Sequence, residues 1–134
     1  MITIFMTARS SSSRKAKAWL KEQNLSFVER DLYAEPLTYQ EFKQILRLTE
    51  HGTADIIATR SCAFKKFKSR LNGNLSLREL FELVNHDPSL LRQPLITDGR
   101  LLQIGFNDVD IRQFIPRKVR RLELSRAQLG LRIA

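Results

Sequence analysis

Four consecutive hydroxyls, Ser10, Ser11, Ser12 and Ser13, stand where a short apolar run gives way to a helical stripe. Ahead of them, residues 1–6 are rich in Ile and Phe, as a buried strand is. Behind them, Ala16, Trp19 and Leu20 recur at the spacing of an amphipathic helix. A strand that runs into a helix start presents free backbone N–H groups and the positive end of the helix. Serines in such a corner can attack a substrate, bind an anion or cap the helix. Attack needs a base within hydrogen-bond reach. The only histidines, His51 and His86, have no context that pairs either with a serine. The corner therefore reads as a cap, one hydroxyl accepting from an otherwise unpaired N–H, and it offers no catalytic residue.

One cysteine and two separated histidines make no metal-ligand pair, so neither a metal nor a cofactor is expected. Cys62 lies among Arg60, Lys65 and Lys66 near an expected helix start. That setting lowers the pKa of an accessible thiol, whereas burial silences it. A lone cysteine forms no internal disulfide, which agrees with a reducing cytoplasm. No apolar run approaches the roughly 20 residues of a membrane span, and no signal-peptide pattern opens the chain. The net charge of +9 is unevenly spread. Arg117, Lys118, Arg120, Arg121, Arg126 and Arg132 meet the single acid Glu123, and a second cluster runs through Arg60, Lys65, Lys66, Lys68 and Arg70. Such density is either a solvated face or a surface for nucleic acid or an acidic protein. No helix-turn-helix, finger or zipper pattern accompanies it.

The elements that must position these residues follow in order. A first helix ends at Asn24, and a second strand covers residues 26–30. A helix over about 38–50 carries Phe42, Ile45 and Leu46 on one side and Lys43 and Arg47 on the other, and Gly52 is expected to close it. Two short helices, a bend at 71–74 and a helix opened by a Ser76/Glu79 capping box come next. Strands over 95–97 and 100–104 flank Asp98-Gly99, a hairpin signal, and Asn107 caps a last helix reaching Phe114. The order β-α-β, helices, β-β-α predicts an α/β fold with a four-stranded mixed sheet, the thioredoxin-like arrangement. In that arrangement a cis proline faces the corner, and Gln93-Pro94 occupies its position. The expected division is one domain over 1–116, with a helical insertion at about 37–88, and a basic tail over 117–134.

Several stretches carry a resemblance in order and in register: RKAKAWL (14–20), FVERDL (27–32), EPLT (35–38), FKQILRLTEHGT (42–53), IIATRS (56–61), LLRQPLI (90–96), LQIGFN (102–107) and DIRQFIPRKVR (110–120). Through them the chain resembles the Spx family of regulators, within the arsenate reductase-like branch of thioredoxin folds. The resemblance implies a cytoplasmic monomer that docks on the C-terminal domain of the RNA polymerase α subunit. It implies redirected transcription in the thiol and oxidative stress response, with promoter DNA met as part of the polymerase complex. It further implies Arg47 and Gly52 as the α contact, and Arg92 and Pro94 as residues holding the active conformation or an oxyanion. A ClpXP-type protease would act at the C-terminus, and Arg60, Lys65, Lys66, Arg117, Lys118, Arg120 and Arg121 would face DNA. Ser10 and Ser13 occupy the positions of the family's Cys-x-x-Cys pair, and hydroxyls form no disulfide. A naturally redox-blind paralogue and a Cys-to-Ser variant fit this pattern equally. The competing expectation, a small arsenate reductase-like thiol oxidoreductase, lacks its nucleophile at Ser10.

Overall fold

The computed structural model describes residues 1–71 and 75–116. The bend at 72–74 and the tail with Arg117, Lys118, Arg120 and Arg121 lie outside the described residues. β1 (Ile2–Met6) leads through α1 (Ser11–Glu22) to β2 (Phe27–Asp31), which pairs parallel to it, Ile2 opposite Phe27 and Met6 opposite Asp31. α2 (Tyr39–Arg47), α3 (Thr53–Ile56), α4 (Cys62–Leu71) and α5 (Leu77–His86) follow. A 3-10 turn (Pro88–Leu90), β3 (Leu95–Thr97), β4 (Leu102–Ile104) and a 3-10 helix (Asp110–Phe114) complete the described chain. The strand order is β2-β1-β3-β4, with β3 antiparallel to both neighbours, the mixed four-stranded sheet expected. Among the described residues no helix is long and apolar enough to cross a membrane.

Successive strand residues point to opposite faces, and here both faces are covered. Ile2, Ile4, Met6 and Ile96 pack with Ala16 and Leu20 of α1 and with Ile111 and Phe114. Phe5 and Leu95 pack on the other side with Phe42, Ile45, Ile56, Val84 and Leu90 from the helical stretch. Asn24, at φ 56°, closes α1: its N–H donates to Lys21 O at 3.1 Å and the Leu25 N–H to Leu20 O at 3.0 Å. Capping boxes open α2 (Thr38 with Glu41) and α5 (Ser76 with Glu79).

Three expectations need correction. α2 stops at Arg47, and Gly52 sits instead at the N-cap of α3. The Leu48 and Thr49 N–H groups turn back to Ile45 O and Leu46 O, ending the helix before the glycine is reached. The hairpin loop spans four residues rather than two, because Asp98 Oδ1 accepts from both Arg100 N and Leu101 N, so β4 begins at Leu102. The last helix is a 3-10 helix. Asn107 Oδ1 accepts from Val109 N and Asp110 N, and Ile111 and Phe114, three apart, share one buried face as that geometry requires.

Two polar features inside the fold carry consequences. Arg30 of edge strand β2 grips Glu41 of α2 with both terminal nitrogens, at 2.6 and 3.2 Å, and its guanidinium lies over Phe5. Burial opposes ionisation of Glu41, yet the Arg30 and Thr38 hydrogen bonds together hold its carboxyl below the usual carboxylate range. A depressed folded pKa means stability that is present above the unfolded value of about 4.3 and is lost as pH falls through the folded one. Glu41→Gln keeps the capping box and loses the charge. It should therefore melt lower than wild type at pH 7, with the gap closing below about pH 4; a gap constant with pH would show the pair is inert. The Ser13 hydroxyl is fully buried and has no hydrogen-bond partner among the described residues. Ser13→Ala should raise the unfolding free energy by about 1 kcal/mol, read by urea melts, and an unchanged or lower midpoint would contradict this.

Candidate functional site

The serine corner is built by the end of β1 and the start of α1. Thr7 O accepts from Ser10 N at 3.2 Å, turning the chain, and Ser10 has extended backbone angles, φ −78° and ψ 114°. Its hydroxyl accepts from Ser13 N at 3.1 Å, so Ser10 is the N-cap and the two expected positions meet in that bond. Gln93-Pro94 is cis and Pro94 is buried. Gln93, which sequence reasoning passed over, makes the contact to the corner. Its Oε1 accepts from Thr7 N at 2.9 Å and Thr7 Oγ1 at 2.7 Å, while its Nε2 donates to Pro88 O at 3.2 Å. The one signal available was its place before the proline.

Neither histidine serves this corner. The His51 ring faces Asp55 at 3.2 Å, and the His86 ring sets its edge against Phe67 at 6.2 Å between centroids. The contact that the Ser10 hydroxyl makes is the cap on α1. Arg92, expected beside the serines, is exposed and directs its guanidinium to α3, Nη1 donating to Asp55 O at 3.4 Å. Its backbone N–H donates to Ile56 O at 2.7 Å.

The α2–α3 connection is held by side chains. Thr49 Oγ1 donates to Leu46 O at 2.6 Å and accepts from Gly52 N at 3.0 Å. Asp55 Oδ2 accepts from Glu50 N and His51 N at 3.0 and 2.9 Å. The His51 backbone N–H, followed by the opposing effect of burial and then the His51 ring, leaves the Asp55 carboxyl below its usual range. Gly52 has φ +75° and ψ −136°, a conformation that glycine alone adopts freely, yet a Cβ there would meet nothing within 4 Å among the described residues. The glycine is required by its backbone angles, and its outer face is open. Arg47 is exposed in the last turn of α2 and lines a groove of about 500 Å3 with Phe5, Ile45 and Leu48.

Arg60, Lys65, Lys66, Lys68 and Arg70 are all exposed, on or just before α4. Ser61 opens that helix, its hydroxyl accepting from Phe64 N at 3.0 Å. Cys62 follows it and is exposed. Among the described residues no cluster of three His, Cys, Asp or Glu side chains can hold a metal.

Known proteins share this sequence and this arrangement. The ArsC family profile matches residues 5–114. The global transcriptional regulator Spx of Lactiplantibacillus plantarum is 50% identical over 128 residues, covering 96% of each chain. The Spx of Bacillus subtilis is 47% identical over 128 residues, covering 96% of this chain and 97% of its own. The crystal structure of an ArsC family related protein from Bacteroides fragilis superposes with a TM-score of 0.70 at 23% identity, over 84% of this chain and 95% of that one, a likeness of fold. With a profile spanning most of its length and near-full-length identity to Spx proteins, the chain belongs to the ArsC family, on its Spx branch.

Proposed function

We propose that the protein is a transcriptional regulator, and that it acts by binding rather than by turnover. The observation that carries this reading is its 47–50% identity to proteins named global transcriptional regulators, across 96% of the chain. The finer reading is docking on the C-terminal domain of the RNA polymerase α subunit through Arg47 and Gly52, in the thiol and oxidative stress response. Geometry supports that surface in two ways. A Cβ added at Gly52 would meet none of the described residues, which leaves room for close approach, and Arg47 stands exposed at the end of the preceding helix. Promoter DNA would lie along Arg60, Lys65 and Lys66 and along Arg117, Lys118, Arg120 and Arg121, with a ClpXP-type protease acting at the C-terminus.

The reductase reading draws on the ArsC family itself. Its chemistry needs a thiolate at the corner, where Ser10 spends its hydroxyl on capping α1. Arsenate or disulfide reduction above background by the purified chain would reinstate it.

Gly52→Arg should abolish capture of the purified α C-terminal domain. The variant also bears a backbone penalty of about 1–3 kcal/mol for a side chain at that φ, so circular dichroism must accompany the measurement. Arg47→Glu carries no such penalty and should weaken capture roughly tenfold with an unchanged melt, as loss and reversal of an interfacial charge does. Normal binding by both variants would place the interface elsewhere. Peroxide or diamide should leave the affinity unchanged, because the only thiol is Cys62. An oxidant-driven gain that persists in Cys62→Ser would contradict this account.

A further inference from the structure

On the sheet face that bears Phe5, the helical cover stops short among the described residues. Cross-strand partners share a face, so the side chains there fall into rows. Arg30, Phe5, Leu95 and Ile104 form one row, in which Phe5 and Leu95 are sealed by the helices. Val28, Thr3, Thr97 and Leu102 form the next row, towards the start of β1. Here Thr3, Thr97 and Leu102 are half-buried, Val28 is 45% exposed, and Met1 beyond them is 77% exposed. Apolar side chains left open together at one end of a sheet mark an interaction surface.

The groove of about 500 Å3 beside Arg47 is the wedge between this open row and α2. Met1, Thr3 and Thr97 line it from the sheet, and Gln44, Ile45 and Leu48 from the helix. Its charges are unequally answered. Glu41 is held by Arg30, and Asp98 by the Arg100 and Leu101 N–H groups. Arg47 has no ion pair or hydrogen bond among the described residues. The wedge therefore offers apolar contact beside one uncompensated cation. A second copy of a chain of net charge +9 is repelled from such a place, and an acidic partner is drawn to it. A helix laid alongside α2 would complete the layer over the sheet. We propose that an amphipathic helix of a partner protein occupies this wedge, its apolar face on Val28, Thr3 and Leu48 and a carboxylate on Arg47. This occupant rests on the reading of Arg47 as a contact of the α C-terminal domain, and carries that contact from α2 onto the sheet.

The probe is the purified α C-terminal domain, titrated into the full chain. Thr3→Arg and Val28→Arg each crowd the open row and add a positive charge. Attraction by net charge alone would tighten capture in these variants, whereas loss of the apolar seat weakens it. Roughly tenfold weaker capture is expected, with the wild-type melt and dichroism spectrum. Wild-type affinity in both, beside weakened capture by Arg47→Glu, would overturn the wedge and leave the reading of Arg47 standing. Wild-type affinity in all three would remove both. A second measurement needs no substitution, because the wild-type chain can be labelled at its methionine and valine methyls. The Met1 and Val28 signals should shift when the domain is added. Met6, buried against α1, and Val109, exposed ahead of the 3-10 helix, should stay in place. Equal shifts at Val109 and Met1, or none at Met1 and Val28, would refute the proposal. So would Met1 shifts that grow with the concentration of the chain alone, which would make the row an interface between copies. Shifts produced by duplex DNA and not by the domain would make it a nucleic-acid surface instead.

Discussion

Everything in this fold hangs on β1 being buried from both sides. It is an interior strand, its odd and even residues serve two separate apolar clusters, and its partners run parallel on one edge and antiparallel on the other. A one-residue slip would turn Ile4 out of the α1 cluster and into the space of Phe5, so the register is tightly specified. The same requirement fixes where β1 must stop. The chain leaves the sheet at Thr7 and must turn at once into α1, whose Ala16 and Leu20 complete the cluster that Ile2 and Ile4 begin. The serine corner is the local solution to that demand.

The corner's wiring reaches well beyond the start of α1. Ser10 closes the helix start, and Thr7 is tied through Gln93 to the loop of Pro88. Arg92 and the Ala58 N–H link the next stretch of backbone to α3. Asp55 then organises the turn before Gly52. A path of hydrogen bonds therefore connects the corner with the glycine connection through Gln93, Arg92 and Asp55.

The sheet was legible from residue types because apolar alternation and helical spacing are local signals. So were the Ser76/Glu79 cap and the left-handed Asn24, each declared within four residues. The errors have one origin. Gly52 looked like a helix stop, but Thr49 and Asp55 recruit the donors around it and hand it to the next helix. The Asp98-Gly99 pair signalled a two-residue turn, but the Asp98 carboxylate reached further than the backbone pattern allows. Gln93 was invisible because its partner, Thr7, lies 86 residues away. Side chains that bond backbone at a distance leave no periodicity in the sequence.

The two serines of the corner are unequal, and this bears on which substitutions each position can take. Ser13 carries a hydroxyl with no partner, so the residue is replaceable by anything of its size. Ser10 carries the acceptor on which the start of α1 depends, and sulfur accepts hydrogen bonds weakly. Removing the hydroxyl at Ser13 takes an unpaired polar atom out of the interior, whereas removing the one at Ser10 costs about 1 kcal/mol of helix capping. The two positions therefore tolerate substitution unequally: the inner one is constrained by volume, the outer one by the acceptor it supplies to the start of α1.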